Sequence, residues 1–146
     1  MIFFLAGPIL IAVGCQTSAK NIPTTILPSA TETAQIKINK IVSPTEANSL
    51  IAENQGSTEF VILDVRTTDE YSTGHIQNAL NIDIYQSDFK SRISQLDRTN
   101  KYLVYCRTGV RSAEAARIMS DLGFTTIYDL SGGISQWIQA GNKVVK

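Results

Sequence analysis

The stretch Tyr102-Leu103-Val104-Tyr105-Cys106-Arg107-Thr108-Gly109-Val110-Arg111-Ser112 decides the fold. Its first four residues are apolar, aromatic and β-branched, and read as a buried strand. From Ala113 to Leu122 the chain carries Ala115, Ile118, Met119 and Leu122 at helical spacing, and the run stops at Gly123. The loop between strand and helix is short enough that it must curl back, with its backbone N–H groups pointing inward around the cysteine sulfur. A helix starting near Ser112 adds the positive end of its dipole, and Arg107 and Arg111 add full charges. All three favour thiolate over thiol and make a seat for an anion. The competing reading is an inert buried cysteine at a strand end, and the glycine and flanking arginines weigh against it. Cys106 is the candidate nucleophile, with Arg107, Thr108, Gly109, Val110, Arg111 and Ser112 as candidate substrate-binding residues.

Outward from this loop, helices alternate with short apolar strands, the pattern of an α/β domain with a mostly parallel central sheet flanked by helices. Ile36 to Ile41 alternates like an edge strand. Ser43-Pro44-Thr45-Glu46 is a capping box with proline at the first helical position, opening a helix through Glu53. Phe60 to Val65 is a continuous apolar strand, Asn81-Ile82 a short one, and Ser87 is placed to cap a helix running to Leu96. Thr126-Ile127-Tyr128 gives the last strand, and Gly133 to Ala140 a closing helix. The sheet therefore presents Cys106 at the carboxyl end of a central strand, where open α/β sheets bind ligands.

Asp64-Val65-Arg66, Glu70-Tyr71, Gly74-His75-Ile76, Asn81-Ile82, the Cys106–Ser112 loop, and Leu130-Ser131-Gly132-Gly133-Ile134 through Trp137 stand in the order found in rhodanese-like domains. From about Ile38 to its end the chain resembles one such domain. The resemblance implies transfer of a sulfane sulfur: the Cys106 thiolate takes the outer sulfur of a donor such as thiosulfate, and the persulfide passes it to cyanide or a thiol. The implied partners are a small anionic sulfur donor and a thiol or cyanide acceptor, a protein thiol included, with no cofactor. The span from Cys106 to Arg111 is similar to the sulfurtransferase form rather than the longer loop of related phosphatases and arsenate reductases. Tyr105 also stands where the phosphatase version has histidine. Where the family has Pro-Gly-Ala after Gly-His-Ile, this chain has Gln77-Asn78-Ala79, and Asn78 is expected to hold the same turn at positive φ.

Asp64 and Arg66 enter as supporting residues. Arg111 is expected to pair with Asp64 and fix the loop, the alternative being direct contact with substrate. Arg66 and Glu70, four apart, are expected to bridge one another, the alternative being a pocket role for Arg66. His75 is expected to be scaffold rather than base, Gly132-Gly133 to turn the chain into the last helix beside the loop, and Trp137 to be core. Two readings of other classes stay open: a module that grips an anion or partner without turnover, and a persulfide or thiol redox sensor. The lack of a second cysteine in the folded part counts against an internal disulfide switch.

Bulk composition narrows the field. With 146 residues, 43% of them apolar and 18% charged, and a formal net charge of zero, there is no electrostatic case for nucleic acid. One histidine and two cysteines far apart supply too few ligands for zinc or an iron–sulfur cluster. Ile2 to Gly14 carries no charge, is too short to span a bilayer and fits the apolar core of a signal peptide. Ala12-Val13-Gly14-Cys15 resembles the lipobox of bacterial lipoproteins, which implies cleavage before Cys15 and a diacylglycerol on its sulfur. Thr17-Ser18-Ala19 offers an ordinary secretion site instead, and an uncleaved anchor is the third reading. Residues Gln16 to Gln35 are rich in Ser, Thr, Pro and Ala and read as a tether. The expected organisation is a signal peptide at 1–14, a tether at 15–36 and a monomeric folded domain at 37–146. It is tethered to a cell membrane outside the cytoplasm, with a secreted or periplasmic form as the alternative.

Overall fold

In the computed structural model, which describes residues 38–146, the apolar runs and the segments between them become alternating strands and helices. Their order is β1 (Ile38–Val42), α1 (Pro44–Glu53), β2 (Phe60–Asp64), α2 (Thr68–Thr73), β3 (Leu80–Asn81), α3 (Phe89–Ser94), β4 (Lys101–Tyr105), α4 (Val110–Asp121), β5 (Thr126–Leu130) and α5 (Gly133–Gln139). The strands form one five-stranded sheet in the order β1-β5-β4-β2-β3, and every neighbouring pair is parallel. Such a sheet needs a crossover between consecutive strands, so both of its faces are covered.

Alternation along β4 divides the core. Tyr102, Val104 and Cys106 point to one face, where Phe89 and Ile93 of α3 and Ala115, Ala116 and Met119 of α4 cover them. Leu103 and Tyr105 point to the other, against Ala47 of α1 and Ile134 and Trp137 of α5. Winding reverses between β2 and β4: the crossover from β2 runs outward to β3, and that from β4 runs the opposite way to β5. A crevice therefore opens above their carboxyl ends. Pairing persists to its floor, where the Val65 N–H donates to the Tyr105 carbonyl at 3.0 Å.

Local sequence explains most of the element starts. Ser43 and Glu46 form the anticipated capping box on α1, and Asn78 holds the turn before β3 at φ 64°, the only positive-φ non-glycine residue among those described. Two elements differ from the sequence reading. α2, at six residues, is too short to show helical periodicity, and its signal is the second capping box, Thr67 with Glu70. α3 is not capped by Ser87. The turn from Gln86 to Phe89, closed by a 3.0 Å backbone bond, occupies that position, and the helix begins after Asp88 with no side-chain cap. Leu96 lies beyond its end. The expected signal segment, Cys15 and the tether lie outside the described residues.

Candidate active site

β4 delivers Cys106 to the crevice, and α4 starts four residues later. The cysteine is free and 1% exposed. Burial alone would push its thiol up; N–H donation from Ser112, Thr108 and Gly109 and the Ser112 hydroxyl outweigh that and hold it below an ordinary cysteine. The Gly109 N–H lies 3.1 Å from Sγ.

The inward set of the loop amides has an outward counterpart. The Cys106 carbonyl accepts the Ile134 N–H at 2.9 Å, and the Arg107 carbonyl accepts the Ser135 N–H at 3.1 Å. With these carbonyls engaged by the first turn of α5, the N–H groups that follow are left for the sulfur. The approach is close: a Cβ on Gly133 would lie 2.4 Å from the Cys106 carbonyl oxygen, and the residue sits at φ +56°. Gly109 answers to a different constraint. It caps α4 at φ 102°, and a Cβ there would meet only an ordinary contact at 3.6 Å, so conformation rather than space selects glycine.

The charge pairing departs from the sequence reading. Arg111 does not pair with Asp64; it makes a two-pronged bridge to Glu70, Nη1 to Oε2 at 2.7 Å and Nη2 to Oε1 at 2.8 Å. Asp64 is taken by Arg66, whose Nε and Nη2 reach both carboxylate oxygens at 2.6–3.0 Å. Arg66 therefore does not bridge Glu70; its Nη2 also donates to the Gly74 carbonyl at 2.8 Å, and its guanidinium lies 5.7 Å from the ring centre of Tyr105. The reason is geometric. Asp64 is 0% exposed and Arg66 4%, so this pair closes inside the sheet edge, while α2 carries Glu70 out to meet the first turn of α4. Hydrogen bonding to Arg111 holds the Glu70 carboxyl at about 2, despite partial burial. The Arg111 guanidinium also lies 5.6 Å from the ring centre of the exposed Tyr85.

Arg107, Thr108 and Val110 are exposed at the mouth, and among the described residues Arg107 makes no ion pair. His75 stacks on Tyr71 with centroids 3.7 Å apart, places Nδ1 3.1 Å from the Tyr71 carbonyl, to which it donates when that nitrogen is protonated, and makes no hydrogen bond to Cys106. Trp137 is core at 3% exposure. Three residues around the loop escaped the sequence reading: Glu70 as the partner of Arg111, Gly133 as the point of closest approach, and Asp129. The last is 7% exposed on β5, and a lone acid in the run Thr126–Leu130 was its available signal.

Residues 43–140 match the family described as Rhodanese-like domain. The thiosulfate sulfurtransferase GlpE of Shewanella oneidensis is 30% identical over 105 residues, 72% of this chain and 92% of that protein. The tRNA uridine(34) hydroxylase of Cytophaga hutchinsonii is 35% identical over 82 residues, 54% of this chain but 26% of its own length. Among solved structures, a rhodanese-related protein from Thermoplasma volcanium aligns with a TM-score of 0.61 at 36% identity, covering 73% of this chain and 98% of that one.

Proposed function

The chain belongs to the rhodanese family, and on that premise we propose that it is a sulfurtransferase carrying a sulfane sulfur on Cys106. The thiolate attacks the outer sulfur of thiosulfate or a similar anionic donor. The donor's S–S bond breaks, its electron pair leaves with sulfite, and Cys106 becomes a persulfide. Cyanide or a thiol then attacks the terminal sulfur and the thiolate returns. The terminal sulfur is anionic, and amides of the loop from Arg107 to Ser112 stabilise it as an oxyanion hole stabilises oxygen. Arg107, exposed and unpaired among the described residues, draws the donor in. Arg111, neutralised by Glu70, keeps the loop in shape, and the Asp64–Arg66 pair supports the floor.

The observation that carries this reading is the buried sulfur itself, accepting the Gly109 N–H at 3.1 Å with its thiol held below the ordinary range. Intact mass before and after thiosulfate tests it. The protein is expected to gain one sulfur atom, lose it to cyanide, and gain none as Cys106→Ser. A folded protein with a free thiol and no mass gain would overturn thiosulfate as donor and leave the anion-binding module as the reading. The apolar run before Cys15 supports a further part of the proposal, a lipid anchor holding the domain at a membrane outside the cytoplasm. Cys15→Ser is expected to move the protein from the membrane fraction to the supernatant, and an unchanged distribution would sink the anchor.

A further inference from the structure

The end of the sheet remote from Cys106 is left incomplete. β2 pairs with β4 along its whole length, from Phe60 opposite Lys101 to Asp64 opposite Tyr105, but β3 meets it only at Leu63 and Asp64. The turn before β3 is the reason. The Ala79 N–H donates to the Ile76 carbonyl at 3.0 Å, and Asn78 at φ 64° bends the chain, so that β3 begins only at Leu80. Main-chain groups alternate between the two edges of a strand. The Glu59 carbonyl accepts the Lys101 N–H at 2.8 Å and the Val65 N–H donates to Tyr105, so Glu59, Val61, Leu63 and Val65 face β4. The intervening residues face the other edge, where the Asp64 carbonyl accepts the Ile82 N–H at 3.0 Å. The Phe60 N–H and C=O and the Ile62 N–H therefore open on a side where, among the described residues, nothing bonds them. Ile62 is nonetheless only 6% exposed, and main-chain groups at such depth call for partners.

A cavity of about 540 Å³ lies along this open edge, with Ile51, Phe60 and Ile62 as its apolar lining. Around them stand the carboxamides of Asn48, Gln55, Gln77 and Asn78, none of which is bonded to another described residue. Each offers a donor and an acceptor together, the same two groups that a peptide main chain presents. No lining residue is ionisable, so the cavity holds no counter-charge for an ionic ligand. An unfinished ladder, free carboxamides and an uncharged lining together select a neutral strand. We propose that this cavity binds an extended, uncharged peptide segment of a partner protein, which continues the sheet along β2 from Phe60 to Ile62. In the parallel pattern one peptide residue accepts the Ile62 N–H and donates to the Phe60 carbonyl, while the carboxamides hold the peptide's outer edge. The site lies away from the sulfur chemistry and does not rest on it.

The test follows the main-chain amide resonances of the isotope-labelled full chain as a capped peptide, acetyl-Val-Thr-Val-Thr-amide, is added to about 5 mM. Recognition through the main chain tolerates sequence, so one uncharged, strand-forming peptide serves as the probe. Before addition, the Phe60 N–H is expected to exchange with solvent faster than those of Val61 and Leu63, which face β4. The peptide is expected to shift and protect the Phe60 and Ile62 amides, and the same peptide methylated at every backbone nitrogen to do neither. Asn78→Gly keeps the positive φ of the turn and removes a carboxamide. It and Gln77→Ala are each expected to weaken binding about two- to tenfold, with sulfur loading unchanged. No shift at Phe60 and Ile62, or one that backbone methylation leaves undiminished, would overturn the proposal, as would full affinity in both variants. Slow exchange of the Phe60 N–H in the free protein would also overturn it, and so would shifts produced by maltotriose, a neutral sugar, but not by the peptide.

Discussion

Gly133 shows how one missing carbon sets a site that it does not touch. Any side chain there meets the Cys106 carbonyl oxygen at 2.4 Å, and the positive φ is itself costly for an L residue. Gly133→Ala is expected to lower stability by about 2–4 kcal/mol and to impair sulfur loading, read by a denaturant melt and intact mass. A stable, fully loading variant would contradict the role given to α5. At the same scale the two arginines of the loop separate. Arg107→Ala is expected to raise the thiosulfate KM about three- to tenfold with an unchanged Tm, since the residue supplies only attraction. The shape of the loop around the proposed nucleophile was legible from residues 102–112, because strand, glycine, arginines and helix are contiguous there. The partners of Arg66 and Arg111 were not: sequence offered two acids and two arginines, and only the relative placement of β2, α2 and α4 chooses between the pairings.

α2 is the element on which that choice depends. Its six residues hold Glu70 at a position fixed by the Thr67 box, where the hydroxyl accepts the Glu70 N–H at 3.2 Å. Thr67→Ala is expected to cost about 1 kcal/mol, measured by chemical denaturation. Glu70 also gives the element a pH dependence. Its carboxyl is held at about 2 in the fold against 4.5 ordinarily. The folded-state value is depressed, so the stabilisation is complete above about 4.5 and is lost as pH falls toward about 2. Glu70→Gln should flatten the Tm-against-pH curve in that window, and an unchanged acid limb would contradict the assignment. Strands longer than four residues were readable from their apolar runs. The short α2 and the start of α3 were not, because a turn or two of helix shows no period and a turn such as Gln86–Phe89 competes with the serine for the cap.

For the molecule as a whole, alternation of strands and helices was enough to announce a parallel sheet, and the strand order follows from how the crossovers pack. The fastening of the C-terminal segment was beyond sequence. His75 and Val145 exchange backbone bonds at 2.9 Å, and the Trp137 indole donates to the Lys143 carbonyl at 3.0 Å. Deleting residues 143–146 is expected to destabilise the fold by about 1–3 kcal/mol while leaving sulfur loading per folded molecule intact, because nothing in that strap reaches the cysteine. The cradle itself has a wider consequence. Its donors to the sulfur are chiefly main-chain amides, common to nearly every amino acid, so the exposed positions Thr108 and Val110 answer to shape and not to side-chain identity. Such a site is tolerant of drift: its rim can be rewritten for a new donor or acceptor, one exposed letter at a time, while the reacting sulfur keeps the same grip.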